Sequence, residues 1–240
     1  MSDNLVSTVN VRGVEIQLNV FNRSLDLCSR MNYETENLDF IDALPSDAVM
    51  YDLGACEGRF TIYAALKGIK VCAFEPDRNN FDVLAKNIEL NNLSEKITLF
   101  NAGVGEKTDK AILQIGQPWP GGHQKVVKHA NVREDLNFNF VEENVIDVVS
   151  LDEIIISKNL PAPTALKIDI DGSEVPFMKG SVNTLVNANL KTIIFELDKG
   201  DKNYNNIIMK LNDAGFSIVT EYTVPNEPTL FNIIFSKKKG

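Results

Sequence analysis

From Val49 onward, short apolar runs rich in β-branched and aromatic residues alternate with stretches of helical period. "VMYDLG" is followed by a pattern in which Phe60, Tyr63, Ala64 and Lys67 share one face before Gly68. "KVCAFEP" comes next, then a helix with Asp77 as its N-cap and Phe81, Leu84 and Ile88 on one side. "KITLFNAGV", "TALKIDI" and "KTIIFEL" read as further strands, and a helix carrying Tyr204, Ile207, Ile208 and Leu211 closes at Gly215. Parallel neighbours need crossover helices, so this order predicts an α/β fold: a mostly parallel sheet with helices on both faces.

The ending departs from that rule. "FSIVTEYT" and "TLFNIIFS" are separated only by "VPNEP", too short for a crossover, and are expected to pair antiparallel. Ahead of the alternating region, "VSTVNVRGVEIQLNVF" reads as a hairpin turning at Arg12 and Gly13, with residues 23–44 helical. Residues 1–47 are therefore expected to form an N-terminal hairpin and helical cap on a main domain of residues 48–240. The segment from Gly116 to Glu143 has no clear period, and an irregular connection of that length is usually functional or disordered.

Chemistry concentrates at the strand ends. In "DLGACEGRF" two glycines follow a strand, and Glu75 ends the next strand 17 residues after Gly58. Ligands of a doubly wound sheet bind beyond the carboxyl ends of its strands. Gly54 permits a tight turn, Gly58 close packing of the next helix, and a strand-end carboxylate accepts hydrogen bonds from ribose hydroxyls. The pattern predicts an adenosine-like cofactor. A dinucleotide would want a further glycine in the middle of "GACEG", and Asp52 beside the first glycine would repel a pyrophosphate while attracting an ammonium or sulfonium.

Composition narrows the partners. The 240 residues are 44% hydrophobic and carry a net charge of −9, which works against a nucleic-acid partner. No run approaches the ~18 apolar residues of a membrane span, and the start lacks a secretory pattern. Three cysteines, Cys28, Cys56 and Cys72, have no close pair and favour neither a disulfide framework nor a zinc site. A cytoplasmic enzyme with a small-molecule partner is the expectation, and the sequence is silent on oligomeric state.

Taken together, "DLGACEGRFT", "AFEPDRNNFDVLAKNIELNN", "NAGVG", "SLDEII", "ALKIDIDGSE" with "MKG", and "IIFEL" occur in the order found in FkbM-type S-adenosylmethionine-dependent methyltransferases, and residues 33–200 resemble that family. The resemblance implies a Rossmann-like class I methyltransferase fold, with a seven-stranded sheet whose last strand is antiparallel. It also implies transfer of a methyl group to a hydroxyl of a sugar, glycan or other small metabolite. Asp52, Gly54, Ala55 and Gly58 would cradle the methionine half of the cofactor, Glu75 would hold the ribose with Pro76 shaping the turn, and Asn101, Ala102 and Gly103 would lie near adenine. Where the family motif usually has glutamate before the glycine of "KIDIDGSE", this chain has Asp171.

Methyl transfer to a hydroxyl needs in-line alignment and a group that takes the proton. Asp169 ends the fourth strand on the edge that carries Asp52 and Glu75; it can accept the proton or bind the donor's amino group. Glu196 ends the fifth strand in the same layer, and Lys167 points to the face of Asp169. The only tryptophan and both histidines fall in "QPWPGGHQKVVKHAN", where His123 or His129 can take a proton. Asp169, Asp171 and Glu196 could gather magnesium, but nothing in the spacing fixes three oxygens at one point, and no metal is expected. The competing readings are a nicotinamide-dependent oxidoreductase, which needs an all-parallel sheet, and a non-catalytic module that keeps the cofactor fold.

Overall fold

The computed structural model describes residues 5–128 and 139–237. It opens with a hairpin, β1 (Val6–Val11) and β2 (Val14–Asn19), turning at Arg12 and Gly13 with both in the left-handed region. Two short helices follow, α1 (Arg23–Ser29), capped by the Asn22 side chain, and α2 (Thr35–Asp42). The alternating region then runs β3 (Val49–Leu53), α3 (Arg59–Leu66), β4 (Lys70–Phe74), α4 (Arg78–Leu90), β5 (Ile97–Phe100) and β6 (Gly103–Val104). As the sequence predicts, Asp77 caps α4, its carboxylate accepting from Asn80 N.

Next come β7 (Asp109–Ile115), β8 (Lys125–Lys128), β9 (Glu142–Val149), α5 (Leu151–Ser157), β10 (Ala165–Ile168), α6 (Glu174–Gly180) and α7 (Val182–Val186). The chain finishes with β11 (Thr192–Asp198), α8 (Tyr204–Asp213), β12 (Phe216–Thr223) and β13 (Leu230–Lys237). Seven strands form one sheet in the order β12-β13-β11-β10-β3-β4-β5. The pairs from β11 to β5 are parallel, whereas β13 lies antiparallel between β11 and β12. The hairpin that breaks the parallel rule in the sequence is thus inserted into the sheet edge.

Alternate residues of the central strands feed two cores, because successive side chains of a strand point to opposite faces. Met50, Val71, Ala73 and Ala165 pack with the N-terminal hairpin, α2, α3 and α4. Tyr51, Cys72, Phe74 and Leu166 pack with α5, α6 and α8. Residues 5–47 therefore share a core with the main sheet rather than standing apart from it.

One expectation is corrected. Between Gly103 and Val149 the chain forms a second, four-stranded sheet in the order β6-β9-β7-β8, and Gly116–Glu143 contains its strand β8 rather than being an irregular loop throughout. Its strands are short or solvent-facing on one side, as the exposed Val145 at 72% and Ile112 at 37% show, so their alternation is blurred. "KITLFNAGV" is likewise two strands: Asn101 leaves the main sheet to donate to the carbonyls of Glu75 (2.9 Å) and Pro76 (3.1 Å), and β6 joins the second sheet. Among the described residues no helix is long and apolar enough to cross a membrane.

Candidate active site

The carboxyl ends of β3, β4, β10 and β11 open onto a cleft with two adjoining halves. The first half is lined by Phe74, Glu75, Pro76, Ala102, Gly103 and, from the second sheet, Val127. The second is lined by Tyr33, Glu34, Arg59, Lys167, Glu196 and residues of the β12–β13 turn. Gly54, Cys56, His123, Gln124, Asp169 and Asp171 border both. The pairing of two cavities across one wall suits a reaction between two bound molecules.

The glycine loop makes the floor. Gly54 has φ +85, and a Cβ there would sit 1.8 Å from the backbone oxygen of Asp169. Its closeness brings the ends of β3 and β10 together, so Asp169 stands directly beside the loop. Gly58 has φ +91, and a Cβ would meet Leu84 Cδ1 at 2.1 Å, which sets α3 tight against α4. We expect Gly54→Ala to lower the free energy of unfolding by about 2–4 kcal/mol, from left-handed strain plus overpacking, with a loss of ligand binding in the cleft. Chemical denaturation and calorimetry of the same preparation check both.

Glu75 is the best-defined polar group of the first half. It is 4% exposed, and its two carboxylate oxygens accept from Cys56 N and Asp77 N, each at 2.8 Å. Each oxygen keeps a second lone pair. Burial pushes its carboxyl up to about 7, with Lys125 and the two N–H donors opposing the rise. Lys125 reaches from β8 to an ion pair with Asp77 at 2.6 Å, both side chains buried. Removing that ammonium with Lys125→Met should push the Glu75 carboxyl higher still, a shift that ¹³C-detected titration of the carboxyl would register.

Asp52 occupies a different place from the one its loop position suggests. It is 1% exposed, accepts from Thr61 Oγ1 at 2.6 Å and pairs with Lys167 Nζ at 3.2 Å, and it borders neither half of the cleft. Lys167, paired across the strands with Asp52 in register, also lies 3.7 Å from Asp169 and has its ammonium strengthened by those carboxylates. The charge of Asp52 therefore reaches the cleft only through Lys167. Asn101 faces away too, toward Lys110 and Asp147, while Ala102 and Gly103 border the first half. Ala55 lines the second half, and Gly58 lies beneath the loop.

Asp169, Asp171 and Glu196 hold carboxylate oxygens within 4.8 Å of one another. Asp169 has 38% of its side chain exposed yet sits in a concave wall, where loss of solvent raises its carboxyl and Lys167 opposes the rise. Glu196 is raised well above the ordinary carboxylate range by desolvation and by Asp169 and Asp171. Three carboxylates so close repel as anions, and a proton or a cation relieves them. His123 projects from the β7–β8 connection into both halves; Trp119, 47% exposed, borders neither, and His129 lies outside the described residues.

Several bordering residues carry little signal in the sequence. Asn80 donates to Cys56 Sγ (3.3 Å) and accepts from Gly121 N (2.8 Å), tying the glycine loop to the β7–β8 connection. Ser24 and Asn22 donate to the carbonyls of Gly121 and Pro120 from the other side. Arg59 bonds Tyr33 and Glu34 across a break between α1 and α2. A charged Glu57 and Arg59 flanking Gly58, where a packed helix start would be apolar, is the one hint the sequence offers.

Known proteins bear on this geometry. The chain is 24% identical over 160 residues to the hexuronic acid methyltransferase AglP of Haloferax volcanii, a match that spans 67% of this chain and 60% of that protein. It is 24% identical over 201 residues to the 31-O-demethyl-FK506 methyltransferase FkbM of Streptomyces tacrolimicus, spanning 75% and 76% of the two chains. A crystal structure of methyltransferase FkbM from Methylobacillus flagellatus superposes with a TM-score of 0.53 at 21% identity, covering 81% of this chain and 45% of that one, and agrees on the fold. Residues 52–218, more than half of the chain, match the methyltransferase FkbM domain, and the protein belongs to that family.

Proposed function

We propose that the protein transfers a methyl group from S-adenosylmethionine to a hydroxyl of a sugar, glycan or related small metabolite. The reading rests on one observation above all: a cleft in two halves with Glu75 on one side, Glu196 on the other and Asp169 on the wall between them. The first half suits an adenosyl group. Its buried carboxylate has lone pairs left for the two ribose hydroxyls, its walls are apolar at Phe74, Ala102 and Val127, and Gly54 allows close approach.

When bound, S-adenosylmethionine supplies the electrophilic methyl group. The chain's own part is to position and to move a proton. Glu75 orients the donor, and Lys167, held by Asp52, keeps a fixed positive charge beside Asp169. Asp169 takes the proton from the acceptor hydroxyl as its oxygen attacks. Glu196, its carboxyl raised by desolvation and by the neighbouring Asp169 and Asp171, is placed to hold a proton and donate a hydrogen bond, so the two carboxyls divide the work of acid and base. His123, at the mouth of both halves, contacts the acceptor.

The names of two relatives support this direction, since one is called a hexuronic acid methyltransferase and the other acts on 31-O-demethyl-FK506. A nicotinamide enzyme would also use a ribose-binding carboxylate, but the inserted antiparallel β13 is foreign to the all-parallel dinucleotide fold. The test is incubation of the purified protein with isotopically labelled S-adenosylmethionine and a panel of hydroxylated acceptors, followed by mass spectrometry. A product heavier by one labelled methyl on oxygen supports the reading; label transferred to nitrogen or carbon alone, or hydride transfer from NADH, overturns it.

A further inference from the structure

The connection between β7 and β8, residues 116–124, borders both halves of the cleft. Gly122, His123 and Gln124 line the first half, and His123 and Gln124 line the second as well. The connection is clamped from two sides. On one, α1 and its cap supply Ser24 and Asn22, which donate to the carbonyls of Gly121 (2.6 Å) and Pro120 (2.9 Å). Gly121, at φ +73, lies so close to α1 that a Cβ would sit 3.0 Å from Leu25 Cδ2. On the other side Asn79, in the first turn of α4, donates to the Pro118 carbonyl at 3.1 Å.

Asn80, the next residue of α4, differs from these anchors. It is 2% exposed, and its amide joins two segments at once. The Gly121 N–H donates to its Oδ1 at 2.8 Å, which turns Nδ2 toward Cys56 Sγ, 3.3 Å away. Cys56 in turn donates its N–H to Glu75 at 2.8 Å, and it holds a left-handed conformation, φ 51, that a non-glycine residue keeps only where its surroundings impose it. Asp77 caps the helix end that carries Asn80, accepting from Asn80 N, so the bridging amide stands on a fixed base. An unbroken run of contacts therefore leads from the carboxylate of the first half, through Cys56 and Asn80, to a wall of the second.

We propose that Asn80 is a positioning residue that couples the two halves: a ligand in the first half fixes the β7–β8 connection, and with it His123 and Gln124, where the acceptor meets them. The proposal rests on the reading of the first half as the donor site. A ligand that fills this half meets Cys56 of the glycine loop as well as Gly122, His123 and Gln124 of the connection, all of which line it. It therefore favours the arrangement in which loop and connection stand together, and Asn80 bridges the two only in that arrangement. Bound donor raises the affinity for acceptor, and acceptor raises the affinity for donor by the same factor.

Hydrogen exchange of the backbone amides between residues 117 and 124, measured with and without saturating S-adenosylhomocysteine, tests this without an acceptor. In the wild type the ligand should slow exchange there at least about tenfold. Asn80→Ala and Cys56→Ala should each shrink that ratio to about threefold or less, and the double variant should lose no more than Asn80→Ala alone, because both remove one bridge. An amide that served only to hold the fold would, when removed, speed exchange equally with and without ligand and leave the ratio at its wild-type value; that result overturns the proposal. A wild-type connection whose exchange is unmoved by bound S-adenosylhomocysteine overturns it too, and in both cases the methyltransferase reading stands. Should Asn80→Ala not fold, the ratio in Cys56→Ala decides alone. Failure of S-adenosylhomocysteine to bind the wild type removes that reading and this one together.

Discussion

Asp169→Asn is expected to cut kcat for methyl transfer by about 10²–10⁴, the range for removing a positioned general base, while changing donor affinity by less than about threefold. The amide keeps the shape of the side chain and can still accept a hydrogen bond, but it cannot take a proton. In the wild-type enzyme kcat/KM should rise with pH as the raised carboxyl of Asp169 ionises, because only the carboxylate is a base. The variant should lose that limb of the profile. A fall in donor affinity comparable to the fall in kcat would instead assign Asp169 to the donor's amino group.

Glu75→Ala should raise the dissociation constant of S-adenosylhomocysteine at least about 100-fold, close to 3 kcal/mol, the scale for charge-assisted hydrogen bonds lost from a buried site. Glu75 also gives binding a pH dependence whose sign is fixed. Its carboxyl is raised to about 7 in the free protein, so below that pH it is mostly protonated. Ribose hydroxyls donate to the carboxylate and favour the ionised form, so binding lowers the pKa and releases a proton. Affinity should therefore be flat above pH ~7 and fall up to about tenfold per unit below it. Titrations in buffers of different ionisation enthalpy measure the released proton, and Glu75→Gln should abolish both the release and the slope.

Much of this arrangement was legible in the chain because each feature is local. "DLGACEG" and "AFEPD" place a glycine turn and a carboxylate at neighbouring strand ends through spacing alone, and the short "VPNEP" forces β12 and β13 to pair antiparallel. What distance along the chain hides is harder to read. Asp52 looks like a ligand from its position beside Gly54, but only the register that sets Lys167 opposite it, with Thr61 one helix on, reveals that its charge is already taken. The second sheet escaped because β6 and β8 are too short for a period-2 signal and β9 exposes the apolar Val145 on its outer side. That sheet nevertheless supplies Val127 and Lys125 to the first half of the cleft.

The second half of the cleft was the least legible. Its wall joins Tyr33 and Glu34, before α2, to Arg59, Glu196 and Glu227, segments separated by most of the chain. Glu34 holds a left-handed conformation, φ 52, that turns its side chain to Arg59, and no motif announces such a contact. Positions like these are set by tertiary packing rather than by pattern.

The most direct test of the central claim is calorimetric titration of the purified protein with S-adenosylmethionine, S-adenosylhomocysteine and NAD, repeated on Glu75→Ala. Binding of both adenosyl ligands in the micromolar range, lost in the variant and absent for NAD, is the predicted result. Binding of NAD, or adenosyl-ligand binding that survives the loss of Glu75 unchanged, would contradict it.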